Sequence, residues 1–287
     1  MKQIRTTWHP ISVPYEAGLH ETITQHHHAA QFISMVGKQL IPQRDDDSNT
    51  SMRYQVRNQM LTGEEIVSGS RMTLNLSDLS LGILNNGILS PISVSLPGLT
   101  KSEAFNKLSH ILNIEGINTI NFKPELHYDM PDHELLHGAP FKENEIQFIE
   151  EHIKYRHNAR LVLQKIGEHH PSADCIRIWP HHFDTGTILP IHSNSRGEVI
   201  RSIGMGWAIP DSMVEEPYFY LSIWSANPLE FPERMPELKG GTWMMPHWQG
   251  AILPMSEILR VPSPEEQEAY TMSFFESGLE VLLKEEY

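Results

Sequence analysis

Strand-length apolar runs, divided by turn signals and closed by a capped helix, occur twice in this 287-residue chain. That pattern constrains the fold more than any other feature. Strands joined by tight turns pair antiparallel, and a helix that follows them has to cover the sheet they form. In the first half the runs are 52–56, 72–76, 79–84 and 88–96. Ser77-Asp78 and Asn85-Asn86-Gly87 separate them, and Asn-Gly between two apolar runs is a hairpin signal. Thr100 then reads as an N-cap with Glu103 placed for a capping box, and Phe105, Leu108 and Leu112 give the helix after it an inner face. An earlier helix is expected from Leu19 to Val36, where Leu19, Ile23, Ala30 and Ile33 recur at helical spacing and Gly37 serves as the stop.

The second half repeats the plan with runs at 175–183, 187–191, 199–208, 218–224, 241–245 and 249–253. Ser263 caps a final helix with Pro264 at its first position, and Met272, Phe275, Leu279 and Leu282 form its apolar stripe. Residues 116–142 are rich in loop formers, and a long helix is expected over 143–166, ended by Gly167. The expected fold is α+β: antiparallel sheets with helices packed on one face. One unit spans 1–287, with two similar halves, 15–115 and 172–287, joined by a helical segment 116–171.

Charge narrows the partners. Thirty-six acidic residues against 22 basic give a formal net charge of −14. An acidic surface repels a phosphate backbone, which argues against nucleic acid. The densest basic stretch, Arg156 to Lys165, reads as the solvated end of a helix. Cys175 is the only cysteine, so neither an internal disulfide nor a cysteine-rich zinc site can form. Its place in an apolar run suits a small buried hydrophobe. Residues 1–8 lack the apolar core of a signal peptide, and no run approaches the ~20 apolar residues of a membrane span. A soluble cytoplasmic protein without a membrane partner is expected, with a small molecule as the partner left open. Nothing in the chain sets an oligomeric state.

Trp179-Pro-His-His-Phe-Asp184 concentrates more metal- and proton-handling groups than any other stretch. If the strand alternates regularly, Ile176, Ile178, Pro180, His182 and Asp184 share a face that begins apolar and ends polar, as where a buried sheet face opens into a pocket. His182 and Asp184 would then lie about 6–7 Å apart. His182 is the expected general base and Asp184 its orienter, or both are ligands to a divalent metal with His192 as a third. The competing reading is structural: Asp184 caps the turn at Thr185-Gly186, and the histidine bonds a backbone carbonyl. His247 and the Asp129/His133/His137 group are further candidate ligands. His133-Glu-Leu-Leu-His137 matches the zinc-helix pattern, but Pro131 and Gly138-Ala-Pro140 limit any helix there to about two turns.

His26-His27-His28 falls inside the first expected helix. His20, Thr24, His27 and Gln31 share one of its faces, which either lines a cleft or faces water. Lys38 is placed to meet an anion or to complement the helix dipole. Tryptophans and tyrosines crowd the C-terminal half. Trp179, His181, Trp207 and Tyr220 are the expected lining of an aromatic pocket, with glycines at 204, 206, 240 and 241 allowing close approach of a backbone or ligand. A core of large aromatics on a bent sheet is the other reading.

Met35-Val-Gly-Lys38, Phe183-Asp184, Gly204-Met-Gly-Trp207, Pro217-Tyr-Phe-Tyr220 and Ala251-Ile-Leu-Pro254 follow one another in an order that resembles an uncharacterised bacterial family of unknown function. Its members carry Gln-Ile-Val-Gly-Lys, His-x-Phe-x-x-x-Phe-Asp-Leu-Ala, Gly-Phe-x-Pro-Gly and Pro-x-Phe-Tyr elements. The resemblance runs from about residue 19 to 280. Thr185-Gly186 stands where the family has Leu-Ala, and Ile209-Pro-Asp211 replaces its Pro-Gly step. The resemblance implies a bacterial source, supports the extent of the domain and singles out Asp184. It implies no activity. From the residues, three functions stay open: a small-molecule hydrolase or isomerase built on His182 and Asp184, a non-catalytic small-molecule binding protein that uses the tryptophan-rich half, or a structural or interaction protein that uses its surface.

Overall fold

The computed structural model describes residues 7–246 and 248–284. Residues 1–6, most of the segment read for a leader, and His247, a candidate ligand, lie outside the described residues. The fold is α+β with antiparallel sheets. The chain divides into two compact units. The first is Glu16–Ile153 with Arg177–Phe183; the second is Met1–Tyr15, Lys154–Ile176 and Asp184–Tyr287.

In the first unit, helix α1 (Ala17–Leu40) precedes strands β1 (Met52–Gln55), β2 (Met60–Val67), β3 (Ser70–Asn75), β4 (Ser80–Asn85) and β5 (Ile88–Ser95), then helix α2 (Lys101–Ile114). With β6 (Arg177–Trp179) the sheet order is β6-β1-β2-β3-β4-β5, antiparallel throughout. The register Tyr54↔Leu61, Leu61↔Leu74 and Leu74↔Leu81 stacks buried apolar side chains on one face of the sheet. Helix α1 packs closely on that face: a Cβ on Gly63 would stand 2.7 Å from Cγ2 of Ile33. The Asn86-Gly87 hairpin forms as expected, with both residues at positive φ (50° and 85°), which two-residue turns of this kind require. The Thr100–Glu103 capping box is also present, and it starts α2 where the sequence places it.

Gly37 does not stop α1, which continues to Leu40. The glycine is there for close approach: a Cβ would fall 2.3 Å from the backbone oxygen of Asn49. Strand β2 escapes the alternation test because Gly63-Glu64-Glu65 interrupts its apolar pattern.

The second unit orders its strands β7 (Asp184–Ser193), β8 (Val199–Ala208), β9 (Tyr218–Ser225), β11 (Gly250–Pro254) and β10 (Thr242–Trp243), again antiparallel. A short helix α4 (Met255–Leu259) and the long α5 (Pro264–Leu282) follow. Ser263 caps α5 by accepting from the Glu266 amide. The helix packs on the sheet through Phe275 against Phe219, ring centroids 5.9 Å apart. Residues from Thr7 to Ile11 are strapped down by polar side chains. Gln267, 3% exposed, accepts from Trp8 Nε1 and the Ile11 amide and donates to the Ile11 carbonyl. Asn158 bonds both backbone groups of His9, and His157 donates to the Thr7 carbonyl.

Helix α3 spans Ile146–His169, running past Gly167, beside which nothing approaches within 4 Å. Arg156, read as part of a solvated stretch, is fully buried. No helix among the described residues is long and apolar enough to cross a membrane.

The two helix glycines make opposite predictions. Gly37→Ala drives a methyl into backbone and is expected to destabilise by about 2 kcal/mol. Gly167→Ala fills open space in a helix and is expected to stabilise by about 0.5–1 kcal/mol. Urea denaturation of both variants checks the signs.

Candidate functional site

The 175–183 run is not one strand. β6 ends at Trp179, and residues 180–183 form a turn in which Phe183 takes φ 51°. Proline at 180 supplies no N–H to a ladder, so the alternation expected to bring His182 beside Asp184 does not exist. His181 and His182 are exposed, their rings 4.4 Å apart, and Trp179 is half-buried with the Arg177 guanidinium 6.0 Å from its ring. What the turn offers the interior is a carbonyl and a ring. The Pro180 carbonyl accepts from His27 Nε2 and from Gln31 Nε2, both at 2.9 Å. Phe183, fully buried, stacks on His27 with centroids 5.0 Å apart and planes 4° from parallel. Tyr128 then donates to Gln31 Oε1 at 2.5 Å and accepts from Ser34 at 2.9 Å. Burial raises the Tyr128 phenol far above its usual range, so it stays a donor. His27 and Gln31, half of the polar stripe expected on the first helix, are thus structural. His20, from the same stripe, is exposed.

In the second unit Asp184 accepts from the Tyr220 hydroxyl at 2.6 Å. Burial first, and Asp184 second, push that phenol well above its ordinary value. Two facing glycines make room for it. A Cβ on Gly186 or Gly206 would lie 2.7 or 2.8 Å from the Tyr220 oxygen, so the close approach these glycines permit is filled by tyrosine. Trp207 is fully buried under the Arg156 guanidinium, 4.7 Å from its ring, and Arg156 donates to Thr185 Oγ1 at 2.8 Å. Tyr220 and Trp248 pack against Tyr218, Val214 and Ile252. Trp207, Tyr218, Phe219, Phe274 and Phe275 of this half fill a core, while Trp224 faces solvent. His192 is exposed near the far end of β7, eight residues from Asp184 and so about 26 Å away along the strand. The set His182, Asp184 and His192 therefore cannot close on one ion. Lys38 is held by Asp47 at 3.3 Å, which also bonds His127 at 2.7 Å. Burial opposes ionisation of Asp47, but bonds from Gln43, His127 and Lys38 outweigh it and bring its carboxyl to about 2.

Glu21, His133 and Glu134 gather ligand-type atoms within 4.8 Å of one another. A cation is already present there: the Lys142 ammonium contacts Glu134 and lies 3.7 Å from Glu21. A divalent ion would have to displace it, so the cluster is an ion-pair network. The zinc-helix match fails on geometry. Glu134–His137 is a 3-10 turn, and His133 is its cap in extended conformation. Three residues per turn put positions four apart about 120° from each other. His133 accordingly faces Glu21, while His137 bonds Asp132 at the surface.

The first unit also holds a cavity of about 720 Å³. Phe32 and Met35 of α1 with Leu126, Met130 and Leu135 give it apolar walls; Thr100, Lys101, Tyr128 and Asp129 supply its polar groups. Lys101 is the first residue of α2, so its amine sits at the positive end of a helix dipole. Among the described residues it makes no ion pair with a carboxylate; its Nζ stands 3.4 Å from Nδ1 of His28. Burial lowers the lysine to about 8. Burial, then the charges of Lys101, His27 and His133, lower His28 to about 3, so its imidazole is neutral and accepts from the amine. His28 is 1% exposed and stacks on His133 at 5.1 Å. No local signal marks Lys101 in sequence, because a lysine at a helix start ordinarily points to water. No family model matches the chain, and neither a curated protein nor a solved structure matches it.

A buried cation without a counter-ion costs stability. The ammonium is disfavoured wherever it is populated, so the penalty is full below about pH 8 and vanishes as pH passes the ordinary lysine value of 10.5. Discounted for its partial exposure, the penalty is about 1–2 kcal/mol. Lys101→Met is expected to raise the melting temperature at pH 7 and to lose that advantage above pH 10.5, measured by thermal melts across pH.

Proposed function

We propose that the protein binds a small amphipathic molecule in the cavity of its first unit. The apolar body lies on Phe32, Met35, Leu126 and Leu135, and an oxygen-bearing polar end meets Lys101. One observation carries this reading: an amine placed in the wall of a largely apolar cavity, with which no carboxylate among the described residues makes an ion pair. A bound ligand supplies the missing acceptor, and a cavity of about 720 Å³ suits a ligand of drug-like size. Hydrolase or isomerase chemistry at His182 and Asp184 has less support, because His182 is exposed in a turn and Asp184 already accepts from Tyr220.

Calorimetric titration with medium-chain carboxylates and the matching alcohols tests the reading. Saturable one-to-one binding is expected, with Lys101→Met weakening carboxylates about tenfold or more and alcohols far less. Leu135→Trp, or Met130→Trp should the first fail to fold, fills the cavity and is expected to abolish both. Absence of saturable binding, or a filled cavity that binds as the wild type does, overturns it.

A further inference from the structure

Lys101 and His28 together carry chemistry beyond holding an anion. An amine that only neutralises a ligand needs its proton, and the surroundings of Lys101 work against that proton. The residue opens a helix, lines an apolar cavity and has an imidazole, not a carboxylate, as its neighbour. The titratable groups around it come from four elements: His28 on α1, His133 at the 134–137 turn, Tyr128 with Asp129 in the loop of the cavity wall, and Glu103 in the first turn of α2 itself. Of these Glu103 and Asp129 are carboxylates; Glu103 accepts from the amide and hydroxyl of Thr100, and among the described residues neither makes an ion pair with Lys101. A desolvated lysine in such a setting is a nucleophile toward carbonyl carbon.

We propose that Lys101 condenses reversibly with an aldehyde or ketone held in this cavity, with His28 beside it as the proton acceptor and donor. This rests on the cavity being a small-molecule site. The neutral amine adds its lone pair to the carbonyl carbon, and the carbon–oxygen π pair moves to oxygen. The nitrogen loses a proton to Nδ1 of His28, which hands it to the oxygen, giving a neutral carbinolamine. The nitrogen lone pair then forms the C=N bond as hydroxide leaves, and the remaining N–H proton passes through His28 to that hydroxide, giving water and the neutral imine. One amine and one carbonyl compound give one imine and one water, and no oxidant or reductant enters. The lowered proton affinity of Lys101 and the neutral state of His28 are what this sequence needs.

Reductive trapping tests the proposal on the full chain. The protein is incubated with octanal and cyanoborohydride near pH 7.5, and the adduct is located by peptide mass mapping. Lys101 is expected to be alkylated about tenfold or more faster than any other lysine. Octanoate in excess is expected to protect Lys101 while leaving surface lysines unchanged. Lys101→Arg keeps a cation and should bind octanoate but give no adduct in the cavity. His28→Gln, provided its melting temperature holds, should slow trapping without weakening octanoate. Labelling of Lys101 no faster than surface lysines, with octanoate still bound, sinks the imine and spares the cavity. Failure of octanoate to bind at all sinks the cavity reading and the imine together.

Discussion

A helix buried on every side must have each of its polar side chains answered inside the protein. Helix α1 is in that position: every residue from Gln25 to Gly37 is buried, and the run includes three consecutive histidines. An unmet buried donor or acceptor costs about 1–3 kcal/mol. The first unit is arranged so that most of these costs are met. Gln25 donates to Glu21 and accepts from the Lys142 amide. His26 and His152 bond through their Nδ1 atoms at 2.6 Å. His27 and Gln31 take the Pro180 carbonyl, and Ser34 and Tyr128 close the chain. His28 turns to Lys101. The turn at 180–183, the loop at Tyr128 and the start of α2 are all held by one face or another of this helix.

That requirement explains which parts of the architecture can be read from the residues. Local signals were legible wherever the chain answers its own needs within a few residues. The Thr100–Glu103 box, the Ser263-Pro264 start and the Asn86-Gly87 hairpin form as their sequences indicate. Gly37 and Gly167 misled for one reason. A glycine seen alone does not distinguish a helix stop from a contact with distant backbone or from open surface, and Asn49 lies twelve positions away from Gly37. The same holds for Gly186 and Gly206, whose space belongs to Tyr220 of a neighbouring strand.

Trp179-Pro-His-His-Phe-Asp184 was the most conspicuous polar cluster in sequence, and its two consecutive histidines are the part that faces water. Besides the Asp184 carboxylate, which meets Tyr220, the groups it contributes inward are the Pro180 carbonyl and the Phe183 ring, which no composition or spacing argument marks. Lys101 shows the converse. In sequence it is one more charged residue in the first turn of an amphipathic helix. Its meaning comes from the residues of loop 124–138 that line the same cavity and from a histidine 73 positions earlier. An uncompensated amine is a poor choice for stability alone, and placing one against apolar walls is the kind of local conflict that marks working sites in otherwise consistent sequences.

The state of that amine is therefore the quantity on which the account turns. Lysine titration followed by carbon or nitrogen resonances in the intact protein, with Lys101 assigned by its loss in the arginine variant, reads it directly. The account requires a midpoint near 8 for Lys101, well apart from the surface lysines. A midpoint at the ordinary 10.5 would mean that water or a carboxylate reaches the amine, and the cavity would then hold no special group for a ligand to meet.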